Sequence, residues 1–487
     1  MQVSRCNQFQ QLTENMVEWE PYESTYTRLS KPCFLLPAWA ISHPLPSSPK
    51  RLISLHGFSA TFITLSSSQS PTQTAFLSSL PPSISSLSLP PVLLSDAPSD
   101  ARIETLLSLE ASRSVPGVTS ILHDLKKKTH LVAFIADLFC CDLFEAARSI
   151  GLPCYVFFPS NCLFISLMLH LPTLDATTTC EYRDLPGPLE LPGCMPIPGP
   201  DLLHPLQDRS NDCYKWMVHH GRRYHEADAI LVNSFEAIEP DTVKVLREHR
   251  PPVYAIGPMI RDKSTDGFDT SSCLDWLDKQ PAGSVLYISF GSGGALTTEQ
   301  MRELALGLEM SKQRFLWMVK SPLGEEVVGA NYLQEGIKND PFAFLPPGFV
   351  ERTKEVGMLV PAWAPQIRIL SHQSTGGFMT HCGWNSTVES VINGVPMITW
   401  PLYAEQHQNA IMLVNGIGAA LRPKARHDGL VEREEIARVA RELMEGEEGS
   451  RVRVKVKELQ EAAINAAAEG GASYEALVEV ANKWKGL

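Results

Sequence analysis

The chain has 487 residues, which is too long for one hydrophobic core and suits two domains of about 200–250 residues each. Its 42 Lys and Arg against 54 Asp and Glu give a net charge of −12, which argues against nucleic acid or an anionic membrane as the main partner. No apolar run is long enough to span a membrane, and the N-terminus lacks the apolar core of a signal peptide. The 11 scattered cysteines indicate a reduced, cytoplasmic protein with free thiols.

In the first half of the chain, short apolar runs alternate with helical periodicity, which is the pattern of parallel β-α-β units. Buried strands are predicted at 131–136 and 229–232. The apolar stretch 154–171 is predicted to be a strand followed by a helix rather than a membrane span. Residues 251–258 close this half, and 261–272 form a polar linker.

The second half of the chain begins with a further buried strand, predicted at 285–290. Residues 322–342 contain Gly and Glu and are expected to form a surface loop. After two glycines, Ser473 is predicted to cap a last helix that runs to Trp484.

The segment 363–406 is the most informative part of the sequence. Residues 377–380 are predicted to form a buried strand and Cys382 and Gly383 a tight turn. A helix is expected over 385–393, because its apolar residues recur at i, i+3 and i+4. Gly394 suits the position that ends such a helix.

A helix N-terminus that follows a glycine turn has unpaired N–H groups and the positive end of a dipole, and therefore binds phosphate. Trp384, Asn385 and Ser386 supply the amides, and Asn385 and Ser386 add side-chain donors. His381 comes from the end of the preceding strand and points at the same place.

Four side chains of this segment have alternative interpretations. Ser386 and Glu389 fit a capping box, in which the glutamate bonds the first N–H of the helix; the alternative is a carboxylate that accepts both hydroxyls of a ribose. Taken singly, His381 and Trp363 could be core residues.

Taken together, residues 363–406 resemble the signature box of the plant family-1 UDP-glycosyltransferases. Further stretches also resemble that family, and they lie at 231–240, 284–294 and 305–319. Within the family, 181–194 and 421–425 are most similar to the hydroquinone (arbutin-forming) glucosyltransferase branch.

The resemblance implies an α/β fold of two Rossmann-like, doubly wound domains that face each other across a cleft, the GT-B type. The implied division of the chain is a divergent N-terminal extension at 1–32, an acceptor-binding domain at 33–258, a UDP-sugar-binding domain at 259–470 and a C-terminal helix at 471–487 that packs back on the first domain. Ligands of such folds bind at the carboxyl ends of the strands.

The resemblance also implies a donor site for UDP-glucose that extends from the base to the sugar. The implied residues are Trp363 and the backbone of Ala364 for uracil, Gln366 and Glu389 for ribose, His381, Gly383, Trp384, Asn385, Ser386 and Ser292 for the diphosphate, and Glu405 and Gln406 for the sugar.

A phenol has a pKa near 10, so that its attack on a sugar benefits from a base poised near neutral pH, for which histidine is suited. The resemblance implies His43 as this base and Asp137 as the carboxylate that orients it. The alternative for Asp137 is a strand-end residue that caps the next helix. Around His43, Ala40 and Ser42 replace the two glycines of the family pattern.

For the acceptor, the resemblance implies that Glu104, Leu138 and Phe139 line the pocket and that Ser160 reaches the donor sugar. Leu138 and Phe139 could equally be core residues. A mostly apolar pocket with one base suits a small planar phenol such as hydroquinone or a monolignol.

We therefore expect a monomeric plant enzyme of secondary metabolism that transfers glucose from UDP-glucose to a phenolic hydroxyl with inversion, without a metal or other cofactor. The alternative is a non-catalytic UDP-sugar-binding protein, because the altered segment around His43 could fail to position a base.

Overall fold

A computed structural model of the chain describes residues 30–36, 57–65, 77, 80–98, 101–260, 271–322, 329–330, 340–361 and 363–486. His43, the predicted base, lies outside the described residues.

Seven parallel strands form the N-terminal sheet, in the order β3-β2-β1-β4-β5-β6-β7. They are β1 (Ser30–Leu36), β2 (Ala60–Thr64), β3 (Ile84–Ser88), β4 (His130–Asp137), β5 (Cys154–Phe158), β6 (Ala229–Val232) and β7 (Val253–Ala255). The central strands are almost continuously apolar because helices cover both faces of such a sheet. β1 begins at Ser30, inside the segment assigned to the N-terminal extension.

The helices of this half connect the strands in β-α-β fashion. They are α1 (Ile103–Arg113), α2 (Val115–Lys128), α3 (Phe144–Ser149), α4 (Cys162–Thr177), α5 (Asp212–Tyr224) and α6 (Pro240–Arg247). Short 3-10 turns lie at Cys141–Leu143, Tyr182–Asp184, Gly199–Asp201 and His204–Gln207.

Six parallel strands form the C-terminal sheet, in the order β12-β10-β8-β13-β14-β15. The strands of this half are β8 (Val285–Ser289), β9 (Gly294–Ala295), β10 (Arg314–Val319), β11 (Gly329–Ala330), β12 (Gly357–Pro361), β13 (Thr375–Thr380), β14 (Met397–Thr399) and β15 (Ala420–Leu421). β9 and β11 form a separate antiparallel pair, so that part of the predicted loop 322–342 is paired.

The helices of the C-terminal half pack on its sheet, except for the last one. They are α7 (Ser271–Leu277), α8 (Thr298–Ser311), α9 (Phe349–Thr353), α10 (Gln366–Leu370), α11 (Trp384–Asn393), α12 (Gln406–Ile411), α13 (Arg433–Glu445), α14 (Glu447–Ala467) and α15 (Ala472–Lys485). A 3-10 turn lies at Pro341–Phe344, and a π turn at Met412–Ile417 extends α12. α7 includes the last residues of the segment that was predicted to be a linker.

The C-terminal helix α15 packs on the N-terminal sheet. Its Trp484 is buried and makes edge contacts with Phe58 and Tyr155, at centroid distances of 5.6 and 5.4 Å. The predicted cap was wrong, because Gly471 precedes the helix and Ser473 is buried inside it.

In the described part of the chain, no helix combines the length and the apolar character needed to cross a membrane. The nine cysteines whose side chains are described are all free thiols.

Candidate active site

The predicted phosphate-binding turn connects β13 to α11. Cys382 has a φ of +64°, a left-handed conformation that is strained for a residue with a side chain. α11 begins at Trp384, one residue earlier than expected, and Gly394 ends it with a φ of 69°. The helix N-terminus therefore lies at the carboxyl edge of the sheet, where its free N–H groups and dipole favour an anion.

His381 lies against two glycines. A Cβ atom on Gly383 would be 2.4 Å from His381 Nε2, and one on Gly291 would be 2.5 Å from the same nitrogen. No real Cβ atom approaches a ring so closely. The backbones of Gly291 and Gly383 thus hold the buried imidazole beside the N-terminus of α11.

The two residues predicted for ribose lie together. The Gln366 Nε2 group donates to Glu389 Oε2 at 2.7 Å and to Ser386 Oγ at 2.9 Å. The capping-box alternative was wrong, because Gly383 occupies the cap position and Ser386 is already the third residue of the helix. Glu389 is nevertheless buried, and a buried carboxylate needs polar partners such as Gln366.

Trp363 and Ala364 lie between β12 and α10, at the same edge of the sheet. The Trp363 side chain is exposed, at 38%, so that the alternative of a core residue was wrong. Its backbone N–H donates to the Pro361 carbonyl at 2.7 Å, and Ala364 is buried. An exposed indole held by a short, bonded loop can serve as a stacking surface for a planar base.

Sequence reasoning missed a cation at the glycine-rich turn after β8. The Lys320 ammonium donates to the carbonyl oxygen of Gly291 at 2.6 Å and to that of Ser292. Burial lowers the pKa of Lys320 to about 8. Ser292 itself is exposed. The position of Lys320 directly after a buried strand was the available signal.

The predicted sugar residues lie where the two halves of the chain meet. Glu405 Oε1 accepts from Ser160 Oγ and from Asn409 Nδ2, both at 3.4 Å. Burial raises the pKa of Glu405. Gln406 Oε1 accepts two backbone N–H groups, at 2.9 and 3.0 Å, which leaves the amide nitrogen of Gln406 to donate.

Asp137 is a buried carboxylate at the end of β4, with 1% of its surface exposed. Its Oδ1 atom accepts from the Phe139 N–H at 3.1 Å, and Oδ2 has no hydrogen-bond partner among the described residues. Burial raises the pKa of Asp137 to about 7, against the opposing effect of the Phe139 hydrogen bond. The helix-cap alternative was wrong, because Cys140 precedes the next helical turn.

The sheet brings Asp137 close to the sugar end of the site. β5 runs beside β4, with Asp137 opposite Phe157, and Ser160 follows directly after β5. β1 borders β4 on the other side, with Phe34 opposite Ile135. The chain therefore leaves β1 beside Asp137, and His43 follows Leu36 by seven residues.

Three of the predicted acceptor residues lie on two parts of the N-terminal half: Leu138 and Phe139 directly follow Asp137, and Glu104 is on α1. Leu138 and Phe139 are buried and belong to the hydrophobic core, so that their role in an acceptor pocket stays a prediction. Glu104 is half-buried on α1; burial raises its pKa, and it is hydrogen-bonded with Cys213.

His220 on α5 was not found from the sequence. Its ring lies edge-on to Phe139, with centroids 5.6 Å apart, and its Nε2 atom lies 2.8 Å from Ser108 Oγ. Burial lowers the pKa of His220 to about 3, so that the ring is neutral. His220 follows His219 on an amphipathic helix, and this pair carried no local signal of a functional site.

Two buried hydrogen bonds connect α11 and α12 to the N-terminal half. The Trp384 indole N–H donates to the Asn233 carbonyl at 2.6 Å. Asn161 Nδ2 donates to Asn409 Oδ1, also at 2.6 Å. Trp384 therefore offers an anion only its backbone amide, since its side-chain donor is used.

Known proteins resemble this chain over most of its length. A family model described as UDP-glucoronosyl and UDP-glucosyl transferase matches residues 265–431. UDP-glycosyltransferase 72B1 of Arabidopsis thaliana is 50% identical over 460 residues, which cover 93% of this chain and 95% of the relative. The chain belongs to the UDP-glycosyltransferase family. The hydroquinone glucosyltransferase of Rauvolfia serpentina is also 50% identical, over 93% of this chain and 97% of the relative, which confirms the predicted branch of the plant family.

Solved structures of other plant UDP-glycosyltransferases have the same fold. Phytolacca americana UGT2, complexed with UDP-2fluoro-glucose and pterostilbene, gives a TM-score of 0.86 at 46% identity, covering 94% of this chain and all of that one. A UDP-glucosyltransferase of Polygonum tinctorium, in complex with 3,4-dichloroaniline, gives 0.88 at 46% identity, covering 95% and 100%. The predicted GT-B fold of two α/β domains is confirmed, and the chain is an enzyme of the hexosyltransferase type.

Replacing Gly383 by Ala is expected to weaken UDP binding at least tenfold. The new methyl group displaces the His381 imidazole, and the loss of one hydrogen bond to a charged group costs roughly 1.5–3 kcal/mol. Titration calorimetry of UDP measures the effect. Gly187→Ala is the matched control, because its Cβ would have no neighbour within 4 Å. Unchanged UDP affinity in a folded Gly383→Ala variant would contradict this role of the glycine.

The stability of an Asp137→Asn variant is expected to depend on pH in a defined direction. The pKa of Asp137 is raised from 3.8 to about 7 in the folded protein. The stability of the wild type therefore falls as the pH rises from about 4 to about 7, because the unfolded chain is ionised there while the folded chain keeps its proton, and above about pH 7 the loss is complete. Relative to wild type, the variant should gain roughly 2–4 kcal/mol in its free energy of unfolding between pH 4 and pH 8. Chemical denaturation at both pH values measures this.

The control for this experiment is Asp142→Asn. Burial is the largest single effect on Asp142 and opposes its ionisation, but the hydrogen bond with His219 and the nearby positive charge of Arg223 together outweigh it, so that the pKa of Asp142 is lowered. This variant should therefore lose stability relative to wild type as the pH rises. The same pH trend in both variants would contradict the assignment for Asp137.

Proposed function

We propose that this enzyme transfers glucose from UDP-glucose to the hydroxyl of a small phenol, with inversion at the anomeric carbon. The observation that carries the proposal is the Asp137 carboxylate, which is buried and whose Oδ2 atom has no hydrogen-bond partner among the described residues. Asp137 ends β4, next to β5, the strand that precedes Ser160 and its contact with Glu405. Burying a charge without a partner is costly, so that such a group is retained where a reaction uses it.

The relatives support the choice of both substrates. The Rauvolfia serpentina relative is named for hydroquinone, and the Phytolacca americana structure holds a fluorinated UDP-glucose together with the phenol pterostilbene. The donor residues of this chain, from Trp363 at the base to Glu405 and Gln406 at the sugar, fit the same kind of donor.

In the proposed reaction, His43 takes the proton of the phenol while the phenol oxygen bonds the anomeric carbon. The bond between that carbon and the β-phosphate oxygen breaks from the opposite face, and UDP leaves with the electron pair. The second nitrogen of His43 donates to Asp137, whose negative charge stabilises the imidazolium. This pairing would supply the partner that Asp137 Oδ2 lacks among the described residues.

The leaving diphosphate needs positive charge at the moment of bond cleavage. The N-terminus of α11 supplies backbone N–H groups and a dipole, and His381 supplies a fixed donor beside them. These groups are already in place before the reaction, which is what makes them effective. We therefore propose a reaction that needs no metal ion.

The acceptor side is proposed to bind the phenol ring by apolar contact. Leu138 and Phe139 lie directly after Asp137, and the neutral ring of His220 packs against Phe139. An apolar wall next to a single base favours a flat aromatic acceptor over a sugar or peptide.

The test is acceptor-dependent release of UDP from UDP-glucose, with a panel of simple phenols. The wild type should release UDP, and His43→Ala and Asp137→Asn should each lower kcat by at least about 100-fold because the proton is no longer accepted. Both variants should bind UDP as the wild type does, since neither residue belongs to the donor site.

Two results would contradict the proposal. An unchanged rate in His43→Ala would remove that residue from the mechanism. UDP binding without any release by the wild type would favour the alternative of a non-catalytic UDP-sugar-binding protein.

A further inference from the structure

Two completely buried asparagines join the domains beside the donor site. Asn161 follows β5 in the N-terminal domain, and Asn409 lies on α12 in the C-terminal domain. The Asn161 Nδ2 group donates to Asn409 Oδ1 at 2.6 Å, and both side chains have an exposed fraction of 0%.

The other end of each amide is also bonded. Asn161 Oδ1 accepts the Phe164 N–H at 2.8 Å and so caps α4. Asn409 Nδ2 donates to the Cys382 carbonyl at 2.9 Å and, more weakly, to Glu405 Oε1 at 3.4 Å. These contacts fix which end of each amide is the oxygen. They form a continuous series of hydrogen bonds from one domain to the other.

This series of hydrogen bonds ends at the Cys382 carbonyl, in the backbone of the predicted diphosphate-binding turn. A trans peptide is planar, so that a fixed Cys382 carbonyl also fixes the direction of the Gly383 N–H on the opposite side of the same peptide. Cys382 has a φ of +64°, which a free turn would not favour. Asn409 therefore supplies one of the contacts that hold this turn in a strained form.

We propose that Asn409 is a positioning residue that couples the N-terminal domain to the diphosphate turn and to Glu405. It acts through Cys382 and Glu405 and touches no reacting atom. Asn161, a residue of the N-terminal domain, thereby influences the affinity for UDP through Asn409. The inference rests on the donor site of the proposed function.

Asn161→Ser separates this coupling from simple stability. Serine is a good cap, so that α4 keeps its first hydrogen bond, but its side chain is too short to reach Asn409. The loss leaves a buried oxygen of Asn409 unpaired, and UDP affinity should fall roughly tenfold in titration calorimetry. A melting curve establishes that the variant is folded.

Asn409→Asp breaks the other hydrogen bond of the series, the one between Asn409 and the Cys382 carbonyl. A carboxylate oxygen still accepts from Asn161, but the N–H that holds the Cys382 carbonyl is lost. UDP affinity should again fall at least about tenfold. In an Asn409→Ala background, Asn161→Ser should have no further effect on UDP affinity, because the two residues act in series.

Asp201→Asn is the matched control. It removes an ion pair with Arg422 at 3.1 Å, which joins the same two domains without touching the turn. This control should bind UDP within about twofold of wild type. Wild-type affinity in Asn161→Ser, or an equal loss in the control, would overturn the inference. A wild-type chain that does not bind UDP would overturn the proposed function itself.

Discussion

The donor site depends on how closely the backbone approaches His381. Gly291 and Gly383 come from different loops, and each leaves room for the imidazole only because it has no side chain. Any other residue at either position would move the ring away from the N-terminus of α11. The parallel sheet brings both loops to one edge, and the helix that starts there adds its dipole to the same point. We propose that a diphosphate is the ligand that uses this combination.

The N-terminal domain contributes a different kind of constraint. Burial raises the pKa of Asp137 to about 7, so that the fold is less stable with the carboxylate charged than with it protonated. A carboxylate in that state is ready to share a proton with a base. Ser160 follows the adjacent strand, β5, and contacts Glu405 of the other domain. The two domains therefore meet at Ser160 and Glu405, where we propose that the sugar and the acceptor are brought together.

Local patterns in the sequence were sufficient to predict much of the fold around the candidate site. The strand, turn and helix around His381 were predicted within one or two residues, because apolar periodicity and glycine turns are local signals. Gln366 and Glu389, which are hydrogen-bonded to each other, were assigned to ribose from the family resemblance, and that role stays a prediction. Local patterns also misled, since Ser386 and Ser473 both resemble caps but lie inside helices whose first turn begins at a glycine.

The contacts between domains could not be predicted in this way. Asn161 and Asn409 are 248 residues apart, and nothing near either one indicates its partner. His220 and Lys320 are likewise defined by what surrounds them in three dimensions. Such residues act through burial and through the exact direction of a hydrogen bond, and both are properties of the packed chain.

Binding of the diphosphate at the turn before α11 is tested most directly by comparing the affinities for UDP and for uridine, measured by titration calorimetry on the wild-type chain. If the turn between His381 and Ser386 binds the diphosphate, UDP should bind at least about 100-fold more tightly than uridine, because several charge-assisted hydrogen bonds are added. The difference should shrink as salt is added. Equal affinities for the two ligands would contradict the account.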